Sequence, residues 1–404
     1  MHIVVGGPAM SIIRAIRCDR SMDSTMLLPA VDLPERNVEL PDQWEGAKTL
    51  GKLKRAKGHA GASSQAAVAE DAYPHLLDET LETMGFEFGC TQVNKRVDLS
   101  SFGGVGRFTA DRPLELGIFE ERIRHTRKSV RARMLPRSLP ARALVQVNAD
   151  LWFAAPELAI VHMASSGDVV ALACAIMELT GTYSLPPRQG VGIETRYSIA
   201  PVTTVARIRA VERCCPRIRN RKTLDQALAL ALEGSASPME TKLATILRTP
   251  MEQGGYGFPV ASLNPQASVP AAMRGRLERD AYHPDIFIQD ACVDIEYDST
   301  TFHFDPMHVY AAQNQIQPLG EAIAKKLETD RRRMRHLQAL GMRVVPVTST
   351  DCATSDRLDN VAWAIAVERE RTGVFPAQAY MDKLDEWENR IARAGLHARL
   401  LQAA

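Results

Sequence analysis

Two short apolar runs, DIFI (285–288) and VDIEY (293–297), are separated by only four residues, Gln289-Asp290-Ala291-Cys292. Runs of this length, rich in Ile, Val, Phe and Tyr, read as strands, and so short a link joins them as an antiparallel hairpin. The link also decides which side chains meet. With all four residues in the loop, Asp285 lies opposite Glu296 and the two carboxylates share one face. A loop shorter by one residue would pair Asp285 with Ile295 and turn Glu296 to the other face. Asp298 follows Glu296 by two positions and points to the same side if the strand continues.

Three acids converging on one strand end repel one another unless a cation neutralises them. Oxygen ligands with partial exposure suit a hard ion such as Mg²⁺ (or Mn²⁺), which in a carboxylate site activates water and stabilises a phosphodiester transition state. The alternative is an exposed hairpin with solvated acids, which the alternation of VDIEY also fits. Upstream, SPMETKLATIL starts a helix with Ser237 as N-cap, Pro238 at the first helical position and Glu240 at the third. This is a capping box, in which the Glu side chain returns to the N-cap amide, so Glu240 has a structural explanation as well as a functional one.

The order of Glu240 on a helix, Pro284-Asp285 and then Glu296-x-Asp298 resembles the PD-(D/E)XK nuclease core. More narrowly, I-E-Y-D-S followed by His303 is similar to endonuclease-like domains related to very-short-patch repair endonucleases. The segment TDRRRMRHLQALGMRVVPVTSTD continues the likeness with Asp330 and Arg331, a basic helix, Gly341 as its stop and a strand RVVPVT. The match spans residues 235–355, about a third of the chain. It implies an α/β fold with a restriction-endonuclease-like α-β-β-β-α-β core whose acids face DNA. It further implies Asp285 and Glu296 as metal ligands, with Asp298 assisting. Glu240 would orient the attacking water, and His303 would act as general base or as a structural hydrogen-bonding group. Lys325, Lys326 or Arg331 would supply positive charge to phosphate. The broad superfamily has Lys where this chain has Asp298; the narrower relatives tend to carry Asp there.

The flanking regions are read by composition and period. Arg122 to Arg142 carries eight basic residues and no acid, with Pro136 and Pro140 breaking any long helix. Either this is a solvated face, or Arg127, Lys128 and Arg131 contact phosphate and release counterions. A second basic stretch runs from Arg207 to Lys222. VQVNADLWF (145–153) alternates like a strand, and two buried helices follow through Tyr183, with a turn at Ser165-Ser166-Gly167 and His162 as a core histidine. LDQALALALEG (224–234) reads as a helix capped by Thr223 and stopped by Gly234. The basic segment, the strand and APELAIVHMA (155–164) are together similar to AbiEi-type antitoxins, some of which end in an endonuclease-like domain. On the later basic helix, Arg331 and Arg335 share a face while Arg333 points elsewhere, so only part of that set could touch one phosphate.

This gives four parts: an unassigned N-terminal region 1–120, a basic, mainly helical AbiEi-like region 121–233, an endonuclease-like domain 234–355 and a C-terminal helical extension 356–404. Within the unassigned region a short amphipathic helix is expected over 75–88, and SSFGGVGRF (100–108) reads as a turn rather than a phosphate loop. Lys+Arg 49 against Asp+Glu 48 leaves a formal charge of +1, so any affinity for DNA must be local. The opening residues lack the basic n-region of a secretory signal. The seven scattered cysteines suit neither a zinc site nor a disulfide framework, and a cytoplasmic protein is expected. Two functions fit: a Mg²⁺-dependent DNA endonuclease acting in phage defence or DNA repair, or a nuclease-fold DNA-binding regulator without turnover. The antitoxin likeness adds a toxin or defence-system component as a partner.

Overall fold

The computed structural model describes residues 2–18, 28, 110, 113–118, 128–136, 139, 143–146, 151–187, 194–215, 218–298 and 316–402; for His2, Gln146, Leu151 and 316–327 it describes the backbone alone. The protein is mixed α/β, with sheets of mixed strand orientation. It divides into two compact units, Met1–Ala231 and Leu232–Ala404. Residues 356–402 therefore share a unit with the hairpin. Among the described residues no helix is long and apolar enough to cross a membrane.

The first unit is built on a five-stranded sheet in the order β3-β2-β1-β5-β4. Its strands are β1 (His2–Val4), β2 (Leu114–Ile118), β3 (Val130–Met134), β4 (Leu144–Gln146) and β5 (Leu151–Ala154). The opening residues thus supply the central strand. β1 runs parallel to β5 and antiparallel to β2. The stretch expected to be one strand over 145–153 is instead a hairpin, β4 and β5, with Val145 opposite Phe153. The basic region 121–233 therefore contains three strands before its helices.

Helix α1 (Gly6–Cys18) buries Met10, Ile12, Ile13 and Ile16 and packs on α2 (Pro156–Met163). Gly6 is left-handed, and a Cβ there would collide with the Glu115 carboxylate, so glycine is required. After α2, Gly167 closes the expected turn in a left-handed conformation, and α3 (Val169–Leu179) begins from an Asp168 cap. A two-stranded antiparallel ribbon, β6 (Tyr183–Ser184) and β7 (Arg196–Tyr197), and then helices α4 (Val205–Arg213) and α5 (Arg221–Leu230) follow. α5 begins before Thr223, with Asn220 at its cap position, and ends at Leu230 rather than at Gly234.

The second unit starts with α6 (Pro238–Arg248) and carries a four-stranded sheet in the order β13-β12-β11-β8. The strands are β8 (Ser262–Leu263), β11 (Ile286–Ile288), β12 (Val293–Asp298) and β13 (Arg343–Thr348). A two-stranded ribbon, β9 (Ala267–Ser268) and β10 (Ala281–Tyr282), is inserted between β8 and β11. β8, β11 and β12 are antiparallel neighbours; β13 joins β12 in parallel after α7 (Ile316–Ala339). One face of the sheet is dry: Ile286, Ile288, Val293, Ile295 and Val347 are fully buried. α8 (Ser355–Glu370) packs against β12 and β13. On the other face Leu337 of α7 packs with Val344, the partner of Asp294 in the register. Helices α9 (Ala377–Leu384) and α10 (Trp387–His397) complete the unit.

Candidate active site

The hairpin adopts the register that brings the acids together. Ile286 lies opposite Ile295, Phe287 opposite Asp294 and Ile288 opposite Val293, which sets Asp285 opposite Glu296. The link makes one 3-10 turn, Gln289–Ala291, and Cys292 closes it with a φ of 53°. With period-two alternation Asp285, Asp294, Glu296 and Asp298 all belong to the face opposite the dry core.

The two carboxylates are tied to the backbone across the strands. The Asp285 N–H donates to Glu296 Oε1 at 3.3 Å, and the Tyr297 N–H donates to Asp285 Oδ2 at 3.1 Å. Arg333 then bridges them from α7. Its Nη2 donates to Asp285 Oδ1 at 3.0 Å and to Glu296 Oε1 at 2.8 Å, and its Nε donates to Glu296 Oε2 at 2.8 Å. The same Nη2 reaches the His283 carbonyl at 2.6 Å. Burial works against the charge on Arg333, but the carboxylates of Glu296 and Asp285 outweigh it and hold the guanidinium protonated.

Asp294 is the unexpected member. It is fully buried, and among the described residues no N–H or hydroxyl reaches either of its oxygens. Its polar neighbour is the Glu296 carboxyl, so carboxyl faces carboxyl. Burial, reinforced by the charges of Glu296 and Asp285, pushes Asp294 well above the ordinary carboxylate range. Burial, with the charges of Glu296 and Glu240, also raises Asp285 against the opposing pull of Arg333.

Glu240 approaches from α6. Ser237 Oγ accepts from the Glu240 N–H at 3.1 Å, as a capping box requires. The return contact differs from the expected one: Glu240 Oε2 accepts from the Ala236 N–H at 2.9 Å, one residue before the N-cap, and from Asn264 Nδ2 at 2.7 Å. Asn264 in turn donates its backbone N–H to the Asp285 carbonyl at 3.1 Å, linking the helix cap to the acid strand. Burial raises Glu240, and the charge of Glu296 adds to the effect.

The fold therefore gathers Glu240, Asp285 and Glu296 and adds Asp294, Arg333 and Asn264, which sequence reasoning did not select. Asp294 is the second residue of VDIEY, and its i, i+2 spacing from Glu296 was the available signal. Arg333 does point away from Arg331 and Arg335, but toward the acids: the other two are exposed on α7. Asp298 ends β12 opposite Thr348. His303 and Arg127 lie outside the described residues, as do 75–88, 100–108 and the side chains of Lys325 and Lys326. Lys128 is exposed, and Arg131 on β3 lies 3.8 Å from Glu115. Among the described residues no three His, Cys, Asp or Glu side chains stand arranged to hold a metal ion. Compared with protein families, curated proteins and solved structures, the chain matches none.

Proposed function

We propose that the second unit is a divalent-cation-dependent nuclease that hydrolyses phosphodiester bonds in DNA, built on a restriction-endonuclease-like core. The observation that carries this reading is the Asp285–Glu296 pair across the hairpin, with the buried Asp294 beside it meeting no N–H or hydroxyl donor among the described residues. A buried carboxylate without a donor calls for a proton or a cation, and an all-oxygen set suits Mg²⁺ or Mn²⁺. The order α6, β8, β11, β12, α7, β13 supports the same reading, since it follows the α-β-β-β-α-β sequence that the resemblance implies.

In this reading Asp285, Asp294 and Glu296 hold the cation. Once bound, the cation would polarise water and offset charge on the scissile phosphate. Glu240, fixed by Ala236 and Asn264, is placed by its helix cap to orient a water at the edge of the site. The exposed Arg331 and Arg335 supply phosphate contacts that position the duplex without reading its sequence. DNA is the partner this assigns; a toxin or defence-system component belongs to the antitoxin likeness alone. The test is incision of supercoiled plasmid with Mg²⁺ or Mn²⁺, comparing the intact protein with folded Asp285→Ala/Glu296→Ala. Incision that survives in the double variant removes the hairpin from the chemistry.

A specific observation favours a second reading. Arg333 holds Asp285 Oδ1 and both Glu296 oxygens, so the site is closed by its own arginine. A protein that keeps this bridge would bind DNA as a regulator without turnover. Salt-sensitive DNA binding that Glu296→Ala leaves unchanged, with no incision by either protein on any tested sequence, would select it.

A further inference from the structure

Resting on the reading of this site as a cation centre, we infer that Arg333 is its internal occupant. A divalent cation and the Arg333 guanidinium compete for Asp285 and Glu296, and Asp294 is the third carboxylate that the incoming cation takes.

Asp285 Oδ2 is committed to the Tyr297 N–H, and Asp285 Oδ1 with both oxygens of Glu296 faces Arg333. A cation bridging the two carboxylates must use oxygens that Arg333 now holds. Like charges cannot share that space in a partly buried pocket, so the two states exclude one another. Asp294 supplies the independent sign that the closed state leaves a carboxyl without a compensating cation. It is fully buried on the same strand face as Glu296, and among the described residues no N–H or hydroxyl reaches either oxygen; the Glu296 carboxyl faces it instead. Arg333 does not satisfy it: its Nε and Nη2 are directed to Asp285, Glu296 and His283.

The geometry also gives the arginine a way out. Its side chain is 31% exposed, whereas those of Asp285 and Glu296 are 18% and 13% exposed. The His283 carbonyl already accepts from it on the exposed side. Opening the site therefore requires a side-chain rotation on α7. The site is then gated by cation concentration: Arg333 keeps the carboxylates compensated at low cation and yields as the cation rises. A monovalent guanidinium offsets one negative charge in this cluster and a divalent ion offsets two, which sets the direction of the exchange.

The experiment is Mn²⁺ binding to the full chain by titration calorimetry, with each variant's fold checked by circular dichroism. Arg333→Gln is expected to tighten Mn²⁺ binding by about tenfold, and Asp294→Asn to weaken it by about tenfold or more, the scale on which changes around a metal centre alter affinity. Arg333→Lys keeps the positive charge but not the bridging fork. Tightening in that variant reports displaced contacts rather than a changed field, and it decides the matter if Arg333→Gln does not fold. Unchanged or weaker binding in the Arg333 variants, or full affinity in Asp294→Asn, overturns the inference. So does failure of every variant to bind Mn²⁺. Plasmid incision measured in parallel separates this from the nuclease reading. Competition without incision leaves the gate standing and removes the nuclease; incision with Mn²⁺ affinity indifferent to residue 333 does the reverse.

Discussion

Two glutamates, one buried in the first unit and one half-buried in the second, meet arginine under opposite charge balances. In the first unit Glu178, 1% exposed, takes Arg14 through Nε at 3.0 Å and Nη2 at 2.6 Å, and also accepts the Leu185 N–H at 3.1 Å. A second arginine, Arg17, is fully buried there. It donates to the carbonyls of Glu178, Gly181 and Ala200 at 2.7, 3.1 and 3.4 Å. Burial lowers Arg17 to about 10, which leaves it charged at neutral pH. In the second unit the carboxyls are in excess: Asp285 and Glu296 share Arg333, Asp294 lies beside them without reaching it, and Glu240 is close by. The difference follows from the backbone. Surplus arginine protons can be absorbed by carbonyls left over at helix and strand ends. A surplus carboxylate on a sheet face needs N–H donors, and the ladder has used them. Arg17 keeps one buried donor, Nε, without a partner among the described residues, whereas both oxygens of Asp294 lack one; a network that closes this far is architecture, and one left open on a sheet face is a place for a ligand.

The largest expected effect sharpens that contrast. Glu296→Ala should lower Mg²⁺-dependent incision at least ~100-fold, equivalent to about 2.7 kcal/mol of transition-state stabilisation. Hydrogen exchange in the first unit should stay as it was. A loss under about tenfold would break the distinction drawn here.

Next in size is the closed network. Arg17→Ala leaves carbonyls without donors and a cavity in place of a buried side chain. It should cost about 3–5 kcal/mol in urea denaturation, the range for breaking a buried charge network. A cost below about 1 kcal/mol would mean that the cage is dispensable.

The open network should respond the other way. Because Asp294 is raised, the folded protein keeps a proton that the unfolded chain releases. Stability is therefore lost as pH rises from the ordinary carboxylate range through the raised value. Without added cation, Asp294→Asn should be neutral or stabilising by about 1 kcal/mol near pH 8, with the gain vanishing toward about pH 4. Denaturation curves at both pH values check this; clear destabilisation at the higher pH would show that Asp294 is paired after all.

The smallest effect belongs to His162, which the sequence places in the core as a satisfied histidine. It is half-buried there with its Nε2 atom enclosed; among the described residues that Nε2 has no partner, and burial lowers the group to about 4. Here the unfolded chain binds the proton first, so the first unit loses stability as pH falls from about 6.5 toward 4, by about 1 kcal/mol at about pH 5.5. His162→Gln should flatten that slope in thermal melts. An unchanged slope would assign the acid sensitivity to another group.

Much of the candidate site could be read from local pattern. Loop length and strand period are short-range quantities, so the hairpin and the two registers open to it followed from a dozen consecutive residues. The Ser237–Glu240 cap was legible for the same reason, although its return contact fell on Ala236. Helix periodicity separates Arg333 from Arg331 and Arg335, but periodicity gives a face, not what that face meets. Asp294 looked like one more polar residue of an alternating strand. Its burial depends on α7, which arrives from outside the hairpin. The central strand β1 is three residues long, and its partners lie more than a hundred residues away, so no local window could announce it.

The sequence by itself determined the hairpin, its acids and the helix cap, because turn geometry and side-chain alternation act over a few residues. Only the tertiary structure decided that Arg333 closes the site, that Asp294 is left without a donor, and that the chain's first strand completes a sheet. Those outcomes depend on which distant elements pack together, and packing is settled by non-local burial rather than by spacing along the chain.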